Sequence, residues 1–150
     1  MGYAGKRKYL TYLSLALAAV SAVIALIPFY EIWRIIKEVL EVRPDFSQAV
    51  HIKTYGWYAV GGALLSMLFY IAALMCSHLA AFRVESNLRK EAMKQIVRMP
   101  LGFFDLNTSG KIRKVIDDNA GITHSFLAHQ MPDLAGSVLV PLTALSLIHI

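Results

Sequence analysis

The chain has 150 residues, 57% hydrophobic and only 17% charged, with its apolar residues gathered into runs. This is the composition of a membrane protein rather than of a soluble globule. Its net charge of +5 flanks those runs instead of forming one basic face, which argues against a nucleic-acid surface. The single cysteine, Cys76, excludes an intrachain disulfide and a cysteine metal site.

The first uncharged stretch, residues 9–30, is long enough to span a bilayer. A Lys or Arg at mid-bilayer costs about 2.5–3.5 kcal/mol, so an uncharged run carries information. Lys6, Arg7 and Lys8 precede it, and Ala16-Leu17-Ala18 offers a small-x-small site. A cleaved signal peptide is nevertheless disfavoured, because the apolar run continues through Ile27 without a polar break. Gly2 lacks the Ser or Thr needed for myristoylation, since position 6 is Lys. Tyr9 and Tyr12 at one end, and Phe29, Tyr30 and Trp33 at the other, suit the membrane interfaces. Pro28 is expected to kink the span near its outer end. Beyond it Ile32, Ile35, Ile36, Val39 and Leu40 keep a helical period up to Arg43-Pro44. The segment 44–54 should then turn the chain around. Its neighbourhood balances Arg34, Lys37, Arg43 and Lys53 against Glu31, Glu38, Glu41 and Asp45.

The second span is the most informative element. Residues 55–82 contain no Asp, Glu, Lys or Arg. With no glycine or proline at the junction, they run into the charged, helix-prone segment 83–99, up to Pro100. As one helix, residues 55–99 would extend roughly 65 Å. A bilayer core takes only about 30 Å of that. The helix should cross the membrane and project far into water. The positive residues before the first span and after the second place the N-terminus and the arm in the cytosol. Gly62 and Ser66 form a small-xxx-small pair that permits close packing. His78 reads as an interfacial histidine.

In the arm, Val84, Leu88, Ala92 and Ile96 form a stripe, and Glu85 and Arg89 pair at i, i+4. Most of the other charges form a solvated face. The stripe needs a partner, most simply a neighbouring cytosolic helix. Residues 100–110 are rich in breakers and turn formers, and Asn107, Thr108 or Ser109 can cap the next helix. A short lateral helix is expected from Lys111 to about Asp118, with Ile112, Val115 and Ile116 on one face. Asn119-Ala120-Gly121 should lead to a further helix from Ile122 back into the membrane, bent at Pro132 and Pro141. That third span begins within residues 134–150.

No catalytic motif is present. Ser109-Gly110-Lys111 is not a phosphate loop, because position 105 is Asp, position 112 is Ile and no strand precedes it. His124 and His129 lie five apart with no third ligand in suitable phase nearby, so two polar contacts are favoured over a metal site.

Arg89, then Met99-Pro100-Leu101 with Phe103-Phe104-Asp105, then Thr108, Gly110-Lys111-Ile112, Ile116 and Asp118 resemble the first intracellular loop of exporter-type ABC transporter transmembrane domains. The stretches Asp117-Asp118-Asn119-Ala120 and Ala128-His129-Gln130, with Pro132-Asp133, are most similar to bacterial ATP-binding/permease fusions. The resemblance covers essentially the whole chain. It implies an all-α membrane protein in which 1–150 form part of a six-span type-1 domain. Two spans are complete and a third begins, with helices two and three extended into the cytosol around a coupling helix. It assigns coupling to the ATPase domain to Gly110, Lys111, Ile112, Arg113, Lys114, Val115, Ile116, Asp117 and Asp118. Ile112, Val115 and Ile116 would pack into that domain, with Lys111, Arg113, Lys114 and Asp117 at the rim.

The family also implies a downstream nucleotide-binding domain using ATP and Mg2+, a second half-transporter, a small-molecule cargo and a bacterial cytoplasmic membrane. Residues 1–150 carry no nucleotide, catalytic or metal site of their own, and no nucleic-acid partner is expected. Exporter architecture does not fix direction, since some relatives import siderophores. Residues 145–150, Leu-Ser-Leu-Ile-His-Ile, match the in-frame translation of a transposon-based sequencing adaptor, so the true protein within these residues is expected to stop near Ala144, which says nothing of where the natural chain ends. The competing reading is a non-transport helical scaffold that binds a soluble partner through its arm. It explains the long helix but not the ordered loop motif.

Overall fold

The computed structural model describes residues 8–44 and 49–148, and all their regular elements are helical. They are α1 (Lys8–Ile24), α2 (Ile27–Glu41), α3 (Ile52–Val97), α4 (Gly102–Leu106), α5 (Ser109–Ser125) and α6 (Met131–Ile148). A π-helical turn, Phe126–Gln130, joins α5 to α6. The basic residues Lys6 and Arg7, part of the expected turn and the end of the suspected adaptor stretch lie outside the described residues.

The first span breaks where proline requires it. Pro28 sits in the first turn of α2, where its missing N–H costs nothing. A continuous helix would drive its ring into the carbonyl of Ile24. The break at Ala25 and Leu26 is short, and Tyr30 N–H already bonds the Leu26 carbonyl at 3.1 Å. α2 then continues to Glu41, as the apolar period predicts.

α3 is one unbroken helix of 46 residues, roughly 69 Å long. It begins at Ile52, ahead of the expected start at Tyr55, and ends just before Pro100. Arg98 N–H closes it on the Gln95 carbonyl. α3 and the joined stretch Tyr9–Glu41 are both long and apolar enough to cross a membrane.

α1, α2 and α5 pack on α3, whereas α6 packs mainly on α1. α1 and α2 run antiparallel to its first half. Ser21 Oγ donates to the Ser66 carbonyl at 2.9 Å, Ile27 touches Gly62, and Arg34 lies 4.0 Å from the Tyr55 ring centroid. α5, the π turn and the start of α6 run antiparallel to its second half, from Ile96 beside Ile112 to Tyr70 beside Asp133.

The interfaces are built from small side chains. Ser14, Ala18 and Ser21 of α1, and Gly62, Ala73, Ser77, Ala80 and Ala81 of α3, are buried. Leu64, Met67, Leu68 and Met75 point outward. Large apolar groups outside and small groups at helix contacts is the arrangement of helices packed in lipid.

The lateral helix expected over residues 111–118 is not a separate element. α5 is continuous from Ser109 to Ser125 and passes through Asn119, Ala120 and Gly121 without a break. Ala120 is fully buried, so a small residue there permits close packing rather than a turn. Asn119 Nδ2 donates to the Val115 carbonyl at 2.7 Å, and Thr123 Oγ1 donates to the Asn119 carbonyl at 2.9 Å. These polar groups are satisfied within the helix. The short element between the long helices is α4, within the stretch expected to be only a turn.

Candidate functional site

The second half of α3 and α5 form a two-helix arm closed at its tip by α4. Val84, Leu88, Ala92 and Ile96 are half-buried, so the predicted stripe finds its partner in α5. Arg89, Met93, Ile96, Phe104, Ile112 and Ile116 line a groove of about 530 Å³ between the two helices. Ile112 and Ile116 therefore face α3. Val115 is exposed.

A charge ladder crosses the same seam. Arg89 pairs with Glu85 at 2.8 Å and with Asp117 at 3.4 Å, and Asp117 also meets Arg113 at 3.6 Å. Glu85 Oε2 lies 2.9 Å from His124 Nδ1. Alternation of sign along the ladder fixes the register of α5 on α3. Arg89 and Arg113 remain largely exposed, so the ladder contributes specificity more than stability.

Further along the arm, three imidazoles meet from two helices and the π turn. The His78 ring lies 5.7 Å from that of His124 and 4.8 Å, edge on, from that of His129. The Phe82 ring is tilted against His124, their centroids 4.6 Å apart. The sequence offers no third partner near His124 and His129. His78 is that partner, and contact across 46 or more residues leaves no periodic signal. Among the described residues no three such side chains are placed to hold a metal ion.

Of the residues assigned to coupling, Gly110, Lys111, Arg113, Lys114, Val115 and Asp118 are exposed, whereas Ile112, Ile116 and Asp117 turn toward the arm's own seam. Thr108 is the helix cap among the three candidates. It is extended, and its Oγ1 accepts from Lys111 N–H at 3.4 Å. The tip adds residues that the motif does not mark as contacts. Val97 is 80% and Leu101 86% exposed, with Met99 and Phe104 also open. An exposed apolar tip on a charged arm is a surface awaiting a partner.

Residues 11–150 match the model of the ABC transporter transmembrane region. The chain belongs to that family. This ABC transporter transmembrane region is also 29% identical over 133 residues to the mycobactin import ATP-binding/permease protein IrtA of Mycobacterium tuberculosis, covering 89% of this chain and 15% of that protein. It is 30% identical over 93 residues to IrtA of Mycolicibacterium smegmatis, covering 59% of this chain and 11% of the relative. The chain thus spans a small part of the length of the relatives it matches. No solved structure matches it. The loop motif of the transmembrane region maps onto the tip: Pro100 follows the end of α3, Phe103 and Phe104 lie in α4, and Thr108 caps α5.

Proposed function

We propose that this segment transmits motion in an ATP-driven transporter of small molecules. The observation that carries the reading is α3 itself. It is one stiff helix that outruns a bilayer by more than half its length and ends at an exposed apolar tip. In the proposed machine, a nucleotide-binding domain encoded downstream binds ATP and Mg2+ and closes against that of a second half-transporter. The tip, α4 with Gly110–Asp118, follows this closure. The arm converts it into tilting of α3 and α6 within the cytoplasmic membrane.

In this reading the coupling residues divide the labour. Leu101 and Val115 reach outward for the ATPase domain, and Lys111 and Lys114 rim them. Ile112 and Ile116 hold the two helices of the arm together. Burial of an apolar side chain of this size is worth about 1.5–3 kcal/mol, so the apolar contacts should dominate over the exposed lysines. The positive residues after Phe82 support a cytosolic tip and N-terminus. The relatives' names put import on an equal footing with export.

The test uses the full-length protein. Leu101→Asp with Val115→Asp should uncouple ATP hydrolysis from transport while insertion is retained. Lys111→Ala with Lys114→Ala should be mild. Normal transport by the apolar double variant would refute coupling through the tip. Orientation is tested by impermeant labelling of single cysteines at Val50 and Lys111 in a Cys76→Ala background. The cysteine at position 50 should react in intact cells and that at 111 should not.

A further inference from the structure

Tyr70 and Asp133 bring a carboxylate into the membrane core. Tyr70 Oη donates to Asp133 Oδ1 at 3.0 Å, across 63 residues of chain. The depth of this pair follows from α3 alone. The uncharged run 55–82 is roughly 42 Å long, and the core needs about 20 of its residues. A core placed flush with Tyr55 reaches to about residue 75, and one placed flush with Phe82 begins at about residue 62. Tyr70 lies inside the core in either placement, and so does the carboxylate bonded to it.

An Asp at this depth is costly, on the order of 2.5–3.5 kcal/mol even by the mildest scale. Asp133 is exposed on this bundle, and among the described residues no Lys or Arg pairs with it. His129, one turn earlier, is the nearest titratable group along its own helical segment, and no ion pair joins the two. The phenol satisfies one carboxylate oxygen. The other, and the negative charge, are left for a group outside this segment. Lipid cannot supply it, and ionisable residues inside membranes almost always face the bundle interior or a water-filled cavity.

We propose that Tyr70 and Asp133 form a recognition point within the transport pathway for a cationic group on the cargo. Tyr70 is a positioning residue that holds the carboxylate against α3, and Asp133 contributes the charge. The π turn immediately before α6 supports the assignment. One extra residue rotates the following helix by about 100°, and this sets which face of α6 meets Tyr70. The proposal rests on the transporter reading above.

The experiment uses the full-length transporter in lipid nanodiscs and two probes of similar shape. Tetraphenylphosphonium is a permanent lipophilic cation, and triphenylphosphine oxide is neutral. The wild type should bind the cation more tightly. Asp133→Asn should weaken cation binding about tenfold or more, with binding of the neutral probe unchanged. Tyr70→Phe should weaken it by a smaller factor. Equal binding of both probes by the wild type, or cation binding that survives Asp133→Asn, overturns the proposal. If Asp133→Asn does not assemble, Tyr70→Phe decides, and unchanged cation affinity there overturns it. Absence of ATP hydrolysis by the wild type would instead refute the transporter reading.

Discussion

Ser77 Oγ donates to the Leu127 carbonyl at 2.6 Å and lies 3.0 Å from that of Ala128. Pro132 is the reason. In the π turn Met131 N–H bonds the Phe126 carbonyl, and the next donor in that register would come from residue 132, which has none. The Leu127 carbonyl is left without a helical partner at a buried crossing. A hydroxyl from α3 supplies the missing proton, and so ties the π turn to the long helix.

Ser77→Ala should therefore cost about 1–3 kcal/mol, since it leaves a buried acceptor unsatisfied while barely changing volume. Thermal unfolding of the full-length protein in detergent measures the loss. Hydrogen exchange should also rise over residues 124–131. Unchanged exchange there would show that water satisfies the carbonyl.

Gly62 and Gly61 make a matched pair. A Cβ at Gly62 would stand 2.8 Å from Ile27 Cγ2, whereas one at Gly61 meets nothing within 4 Å. Gly62→Ala should destabilise the contact of α3 with the α1–α2 break by about 1–3 kcal/mol. Gly61→Ala should be neutral or stabilising by up to about 1 kcal/mol, because alanine favours the helix. Equal melting temperatures for the two variants would contradict the close approach at residue 62.

The charge ladder predicts coupling between helices. Arg89→Ala strands Glu85 and Asp117 together. In a double-mutant cycle, Arg89 and Asp117 should show an interaction of about 0.2–1 kcal/mol that fades as salt rises. A salt-independent value would mean that the pair is shielded from solvent by the rest of the transporter.

Stiffness of the arm is testable at Leu88, between Phe82 and the tip. Leu88→Pro should cost about 3 kcal/mol locally and break the helix there. The protein should still insert, since the substitution lies beyond the uncharged run, but cargo should no longer alter ATP hydrolysis. Retained coupling would show that motion bypasses α3.

Local rules were enough for the long helix α3 and for the helix limits at proline, but not for α4 or for the length of α5. The absence of glycine and proline from Ala63 to Met99, with no charge in the run before Arg83, dictates an unbroken helix that leaves the membrane. Pro28 and Pro100 mark helix limits, and Thr108 caps α5, because helix breaking and capping act within a few residues. The fate of residues 119–121 was decided by tertiary contact. Asn-Ala-Gly has the local chemistry of a break, yet a buried Ala120 against α3 outweighs a weak propensity. The turning of Ile112 and Ile116 toward α3 has the same origin, since an apolar face takes the nearest partner. The meetings of His78 with His124 and His129, of Ser77 with Leu127, and of Tyr70 with Asp133 join residues 46 to 63 positions apart. Sequence periodicity speaks only for one helix at a time, and only the antiparallel register of α3 against α5 and α6 brings these groups within reach.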